Sequence, residues 1–115
     1  YGMVGQDMEI YDKTILRENI SYSIIKGGVL NYTKLMASYY GKSNVRINCV
    51  SPGGIENKNN SRQNKNFIKN YSKRVPVKRM AKSEEIANTV LFLCSDLSTY
   101  MNGSNLVVDG GWTAI

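Results

Sequence analysis

In the stretch YSIIK, Tyr22 and Lys26 stand four residues apart, directly ahead of two glycines. On a helix that spacing puts both side chains on one face. An ammonium beside a phenol stabilises the phenolate and draws a tyrosine pKa down from about 10. A phenol tuned in that way can give or take a proton near neutral pH. Gly27 and Gly28 leave room for another backbone or a ligand to approach the same helix. Taken alone, Tyr-x-x-x-Lys is also what an unrelated surface tyrosine and lysine would spell.

Composition narrows the other chemistries. The chain has no histidine, which removes His-dependent triads and the commonest general base. Cys49 and Cys94 lie far apart without metal-ligand spacing, so no metal site is expected. They read as free thiols of a reducing cytoplasm. No apolar run approaches the roughly 20 residues of a membrane span, so no membrane partner is expected. The chain begins at Tyr1 rather than methionine, and its 115 residues suffice for one domain or part of one. A fragment of a longer protein is the expectation.

The net charge of +6 is uneven. Lys58, Arg62, Lys65, Lys69, Lys73, Arg74, Lys78, Arg79 and Lys82 fall between Asn57 and Ser83 with no acid among them. The rest of the chain carries six basic and nine acidic residues, or −3. A nucleic-acid patch is one reading of such a block. It carries no nucleic-acid module signature, and lysine and asparagine richness can be mere composition, so no nucleic-acid partner is expected.

The elements that must position Tyr22 and Lys26 follow from periodicity. Residues 1–19 have no clean period and read as loop. Residues 21–40 predict a helix apolar on two sides, with Ile25, Val29, Tyr32, Met36 and Tyr39 on one stripe and Ile24, Gly28 and Leu35 on another. Gly41 is its expected cap. Val45–Val50 alternates as a strand, and Pro52, Gly53 and Gly54 are expected to break it. Residues 61–73 predict a short amphipathic helix through Phe67, Ile68 and Tyr71, which Pro76 stops. Ser83 is expected to cap a helix whose first turn holds Glu84 and Glu85 and whose apolar face is Ile86, Val90, Leu93 and Cys94. Residues 105–108 predict a last strand. Two strands joined through helices imply a parallel pair with a right-handed crossover, the second half of an α/β domain.

The run from Tyr22 to Ile55 resembles the short-chain dehydrogenase/reductase family. There, Tyr-x-x-x-Lys opens a long helix, followed by an Arg-x-Asn strand and a Pro-Gly turn. VPVKRMAKSEEIANTVLFLCSD and YMNGSNLVVDGGW match the family's C-terminal portion in the same order. The loop over residues 3–21 and KGGVLNYTKLMASYYGK are similar to bacterial oxidoreductases of surface-polysaccharide and flagellin-glycan synthesis. The resemblance implies a doubly wound parallel-sheet (Rossmann) domain, of which residues 1–115 form an incomplete C-terminal part. It implies NAD or NADP as cofactor and hydride transfer on a carbonyl or secondary alcohol, such as a sugar derivative. Tyr22 would be the catalytic acid/base. Lys26 would assist it and hold the nicotinamide ribose. Pro52 and Gly53 would shape the turn beside the nicotinamide, and the Ile55 backbone would bind its carboxamide. Asn57 stands where the family often has a phosphate-contacting threonine. Asp109 and Gly110 match a structural motif, and Trp112 is left between a subunit contact and a pocket wall. Residues 55–82 would form a basic, weakly anchored substrate lid suited to an anionic sugar derivative, and the full-length parent would be a homo-oligomer, as a tetramer.

The family's glycine-rich phosphate loop, Asn-Ala-Gly segment and catalytic serine are not in these 115 residues. The serine would sit just upstream of Tyr1, and the chain alone is expected to be inactive. A 3-oxoacyl-carrier-protein reductase shares these motifs. A basic binding piece or a catalytically dead interaction domain stays open beside both.

Overall fold

Asn19 starts the longest element. Its side chain accepts the Tyr22 N–H at 3.4 Å, and helix α1 runs Ile20–Tyr40. The computed structural model describes residues 1–14, 19–57, 59–60 and 63–115. Lys58 and Arg62 of the basic block, 15–18 of the leading loop and 61–62 of the expected second helix lie outside the described residues. The leading segment is not all loop: a 3₁₀ turn spans Met8–Tyr11 and buries Ile10. Gly41 caps α1 as expected, but not in the left-handed conformation. It stays right-handed at φ −57°, and the reversal falls on Asn44 at φ 58° after a 3₁₀ turn over Gly41–Ser43. A short polar side chain makes asparagine tolerant of that conformation.

Strand β1 is Cys49–Pro52, shifted from the expected Val45–Val50. Residues 46–48 lie outside the ladder and spend their polar groups elsewhere. Ile47 N–H donates to Asn102 Oδ1 at 2.9 Å, and the Asn48 side chain spans Met101 O and Ser104 N–H. Pro52 does not break the strand. It sits on the last rung opposite Val108, and the next donor, Gly53 N–H, still reaches Val108 O at 2.9 Å. Strand β2, Asn105–Val108, pairs with β1 in parallel, Cys49 opposite Asn105. Alternation identified extended chain, but only the partner decided which residues form the ladder.

Helix α2, Lys65–Arg74, begins at Asn64, whose side chain accepts Phe67 N–H at 2.9 Å. Helix α3, Ser83–Cys94, starts one residue earlier than expected. Lys82 holds the cap position, and its N–H donates to the Glu85 carboxylate at 2.8 Å. Arg79 grips the same carboxylate through two nitrogens at 2.7 and 2.6 Å. Of the expected apolar face, Ile86 and Leu93 are half-buried, whereas Val90 and Cys94 are exposed. The pair β1–β2 is too narrow to cover the whole stripe.

The Arg46 and Asn48 side chains are braces. Arg46 donates to the carbonyls of Ser98 at 2.8 Å and Leu93 at 3.0 Å, tying down the end of α3. Asn102 clamps α1 by donating to Ala37 O at 3.0 Å. Below it Thr33 and Ala37 are the buried positions of α1. The asparagines of α2 are also structural: Asn70 donates to Asp12 O at 3.1 Å and Asn66 to Lys13 O at 3.3 Å.

The core joins Ile10, Phe67, Tyr71, Val75, Met80 and Trp112. Four of these six lie within residues 55–82, so among the described residues the segment expected to be weakly anchored supplies most of the core. By contrast α1 presents Ile20, Ile24, Ile25, Tyr32, Leu35 and Tyr39 to solvent, each at least 59% exposed. The radius of gyration is 15.8 Å, against about 13 Å for a compact domain of this length. The fold is an extended helix beside a small core, consistent with part of a larger α/β domain.

Candidate active site

The first turn of α1, the end of β1 and the α2 core enclose a cavity of about 480 Å³, within the range of small-ligand sites. Tyr22 and Lys26 reach it from α1, and Pro52 and Gly53 from the end of β1. Thus four of the six expected site residues, far apart in sequence, line one space. Lys26 Nζ stands 5.4 Å from the centre of the Tyr22 ring. Both side chains are exposed. Among the described residues neither the Tyr22 hydroxyl nor the Lys26 ammonium has a hydrogen-bond partner, so both can meet a ligand.

Close approach to α1 occurs, but the essential glycine is Gly2. A Cβ there would lie 2.6 Å from Lys26 O, whereas Gly27 has ordinary room and Gly28 faces open space. The Pro-Gly turn is held from two sides. A Cβ on Gly53 would fall 2.8 Å from the Tyr71 hydroxyl and 3.0 Å from Asp109 O; on Gly54 it would fall 2.7 Å from the Tyr71 ring. The Tyr71 hydroxyl accepts the Gly54 N–H. Tyr71 stacks on Trp112 at 4.8 Å and 14°, and the Arg74 guanidinium lies 5.2 Å over the indole. Trp112 is therefore a wall of the cavity in this chain.

Ile55 and Asn57 do not line the cavity. They continue the turn beyond it. Ile55 bridges in parallel to Ala81, and its carbonyl accepts the Gln63 side-chain N–H at 3.0 Å. Asn57 N–H donates to Gln63 Oε1 at 2.8 Å, and Asn57 Oδ1 accepts Asn59 N–H at 3.1 Å.

Sequence reasoning missed Tyr1, Tyr11 and Asp109 as cavity residues. Burial, then a hydrogen bond with Tyr11, pushes the Tyr1 phenol up. Burial also raises Tyr71, against the Gly54 N–H, which lowers it. Both phenols are neutral at physiological pH. Burial alone would raise Asp109, but the Thr113 hydroxyl and the Thr113 and Gly111 N–H groups outweigh it and hold the carboxyl below its usual range. Asp109 thereby closes the last turn of the chain, the structural role expected of it. The signal for Tyr71 was present, since it shares the apolar face of α2 with Phe67; Tyr1 and Tyr11 carry no pattern of their own.

The cationic side of α2 does not line the cavity. Phe67 and Tyr71 face inward, while Lys65, Lys69 and Lys73 are exposed. Among the described residues no cluster of His, Cys, Asp or Glu could hold a metal ion. No described helix is long and apolar enough to cross a membrane.

A family model described as enoyl-(acyl carrier protein) reductase matches residues 8–113. The chain is 40% identical over 93 residues to a 3-oxoacyl-[acyl-carrier-protein] reductase of Chlamydia pneumoniae, covering 81% of this chain and 38% of the relative. It is 34% identical over 112 residues to the post-translational flagellin modification protein A of Campylobacter coli, covering 96% of this chain and 42% of the relative. Its fold matches a short chain dehydrogenase of Leptospira borgpetersenii solved with NAD⁺ bound, with a TM-score of 0.84, 38% identity, and 97% of this chain and 41% of that one covered. The chain thus spans about two fifths of the length of these relatives. Its helix with Tyr22 and Lys26, its Pro-Gly turn and these matches across nearly all of its residues agree: the chain belongs to the short-chain dehydrogenase/reductase family.

Proposed function

We propose that the chain is the C-terminal portion of an NAD(P)-dependent oxidoreductase that transfers hydride between the cofactor and a carbonyl or secondary alcohol. The observation that carries this reading is the gathering of Tyr22, Lys26, Pro52 and Gly53 around one cavity. The donor set fits the nicotinamide-ribose half of a dinucleotide. Lys26 offers an ammonium for ribose hydroxyls, the turn offers backbone polar groups, and the edge at Ile55 and Asn57 already accommodates a primary carboxamide, that of Gln63. The bound cofactor supplies or accepts the hydride. Tyr22 gives its hydroxyl proton to the substrate oxygen during reduction and takes it back during oxidation. Lys26, on the same face, stabilises negative charge on the Tyr22 oxygen while the proton is away. The aromatic walls Tyr71 and Trp112 exclude water and orient a ring. In this reading residues 55–82 cover the substrate.

The substrate we infer is a sugar derivative of surface-glycan or flagellin modification. Support comes from the Campylobacter relative, whose match extends over 96% of the chain. The lysines of α2 stand outside the cavity, so they act on an anionic substrate by long-range attraction rather than contact. The second reading, a 3-oxoacyl-carrier-protein reductase, is favoured by the chlamydial relative and by the same basic face, which suits an acidic carrier. Free Cys49 and Cys94 suit a reducing cytoplasm.

Quenching of protein fluorescence by NAD or NADP in the full-length protein tests the enzyme reading, and absence of binding by both overturns it. NAD(P)H turnover with a keto-sugar against an acetoacetyl thioester then separates the two substrates.

A further inference from the structure

The bridge between Ile55 and Ala81 leaves one edge of the turn unclaimed by backbone. Ala81 N–H donates to Gly54 O at 2.8 Å, and Glu56 N–H donates to Ala81 O at 2.9 Å. In extended chain the polar groups of successive residues alternate in direction. The N–H and C=O of Ile55 therefore face away from Ala81. On that side lies the Gln63 carboxamide, its nitrogen on Ile55 O at 3.0 Å and its oxygen on Asn57 N–H at 2.8 Å. Donor and acceptor are both matched. Between Asn57 and Gln63, Asn60 N–H donates to Asn57 O at 3.0 Å and Gln63 N–H donates to Asn60 O at 3.0 Å. Asn64 follows at once as the cap of α2.

We propose that Gln63 is an internal latch: its side-chain amide fills the carboxamide edge of the turn, and the nicotinamide carboxamide must displace it to bind. This rests on the reading that the Ile55 backbone receives the cofactor carboxamide. Exchange of one primary amide for another on Ile55 leaves the hydrogen-bonding balance of that edge nearly unchanged. The latched fraction then lowers observed cofactor affinity in proportion. Displacement also frees Gln63, which directly precedes the α2 cap Asn64, from the turn. Gln63 is in this sense a residue that sets cofactor affinity and couples the cofactor edge to α2.

The test uses the full-length protein and two ligands: NAD or NADP, whichever binds more tightly, and the matching ADP-ribose or its 2′-phosphate, which lacks the carboxamide. Gln63→Ala should tighten the dinucleotide by about 3- to 10-fold, as expected for release of a mostly closed latch. It should leave the ADP-ribose ligand unchanged. Gln63→Asn, which keeps the amide but lacks the reach, should behave as Gln63→Ala. Hydrogen exchange at the Asn57 amide should quicken in both variants without ligand. Weaker or unchanged dinucleotide binding, or equal shifts for both ligands, overturns the latch and leaves Gln63 a brace of the loop. A wild-type protein that binds neither NAD nor NADP overturns the enzyme reading itself, and the latch with it.

Discussion

The Tyr22 hydroxyl and the Lys26 ammonium are available on one face of α1, at the mouth of a shared cavity. If Tyr22 relays the proton, Tyr22→Phe in the full-length protein keeps cofactor binding and lowers kcat by roughly 10² or more. Lys26→Ala damages both binding and turnover, because the ammonium serves both. Steady-state kinetics beside fluorescence titration separates these effects, and a near-native rate for Tyr22→Phe contradicts the role. A second single residue, Glu85, governs acid behaviour. The Arg79 hydrogen bond, then the Lys82 N–H, lowers its pKa from 4.5 to about 2. A depressed folded-state pKa means the contribution is complete above pH 4.5 and is lost as pH falls toward about 2. Hydrogen exchange at the start of α3 should therefore quicken across that window, and Glu85→Gln should show quick exchange already at pH 7.

At the scale of elements, α2 has two unlike sides. Its aromatic side closes the cavity, and its lysines face solvent. Attraction at a distance accelerates encounter and is screened by salt. Reversal of Lys65 and Lys69 to Glu should lower kcat/KM for an anionic substrate, flatten its salt dependence and leave kcat alone. A fall in kcat would place these lysines in contact with bound substrate instead. The glycine turn is equally element-dependent, because Tyr71 of α2 occupies the space a side chain would need. Gly54→Ala should destabilise the protein by about 1–3 kcal/mol, and chemical denaturation should show that Tyr71→Ala in the same protein removes much of the penalty.

For the whole molecule, the exposed face of α1 is the dominant feature. Isoleucines, tyrosines and Leu35 along it are open to solvent in this chain. An apolar face of this extent normally meets another surface. In the full-length protein we expect α1 to pack against its two-fold mate within a tetramer. Light scattering should report a tetramer for the full-length protein and smaller species for Leu35→Glu; a monomeric wild type contradicts the assignment.

Local patterns determined much by themselves. The periodicity of α1, α2 and α3 and the β-branched run of β2 depend on near neighbours, and Tyr22 and Lys26 share a face because 3.6 residues make a turn. Ordered motifs identified the family for the same reason, since they are contiguous strings. Contacts between distant residues were not legible. The ladder moved to Cys49–Pro52 because Asn102, more than 50 residues away, claims Ile47 N–H. The helix reversal moved from Gly41 to Asn44. The segment expected to be loose became the core because Ile10 and Trp112 arrive from opposite ends of the chain. Gln63 meets Ile55 O through its side chain, eight residues away, a contact no local pattern shows. Periodicity is a property of the chain, whereas a partner for each polar group and each apolar face is a property of the folded space around it, and only the tertiary structure decided those.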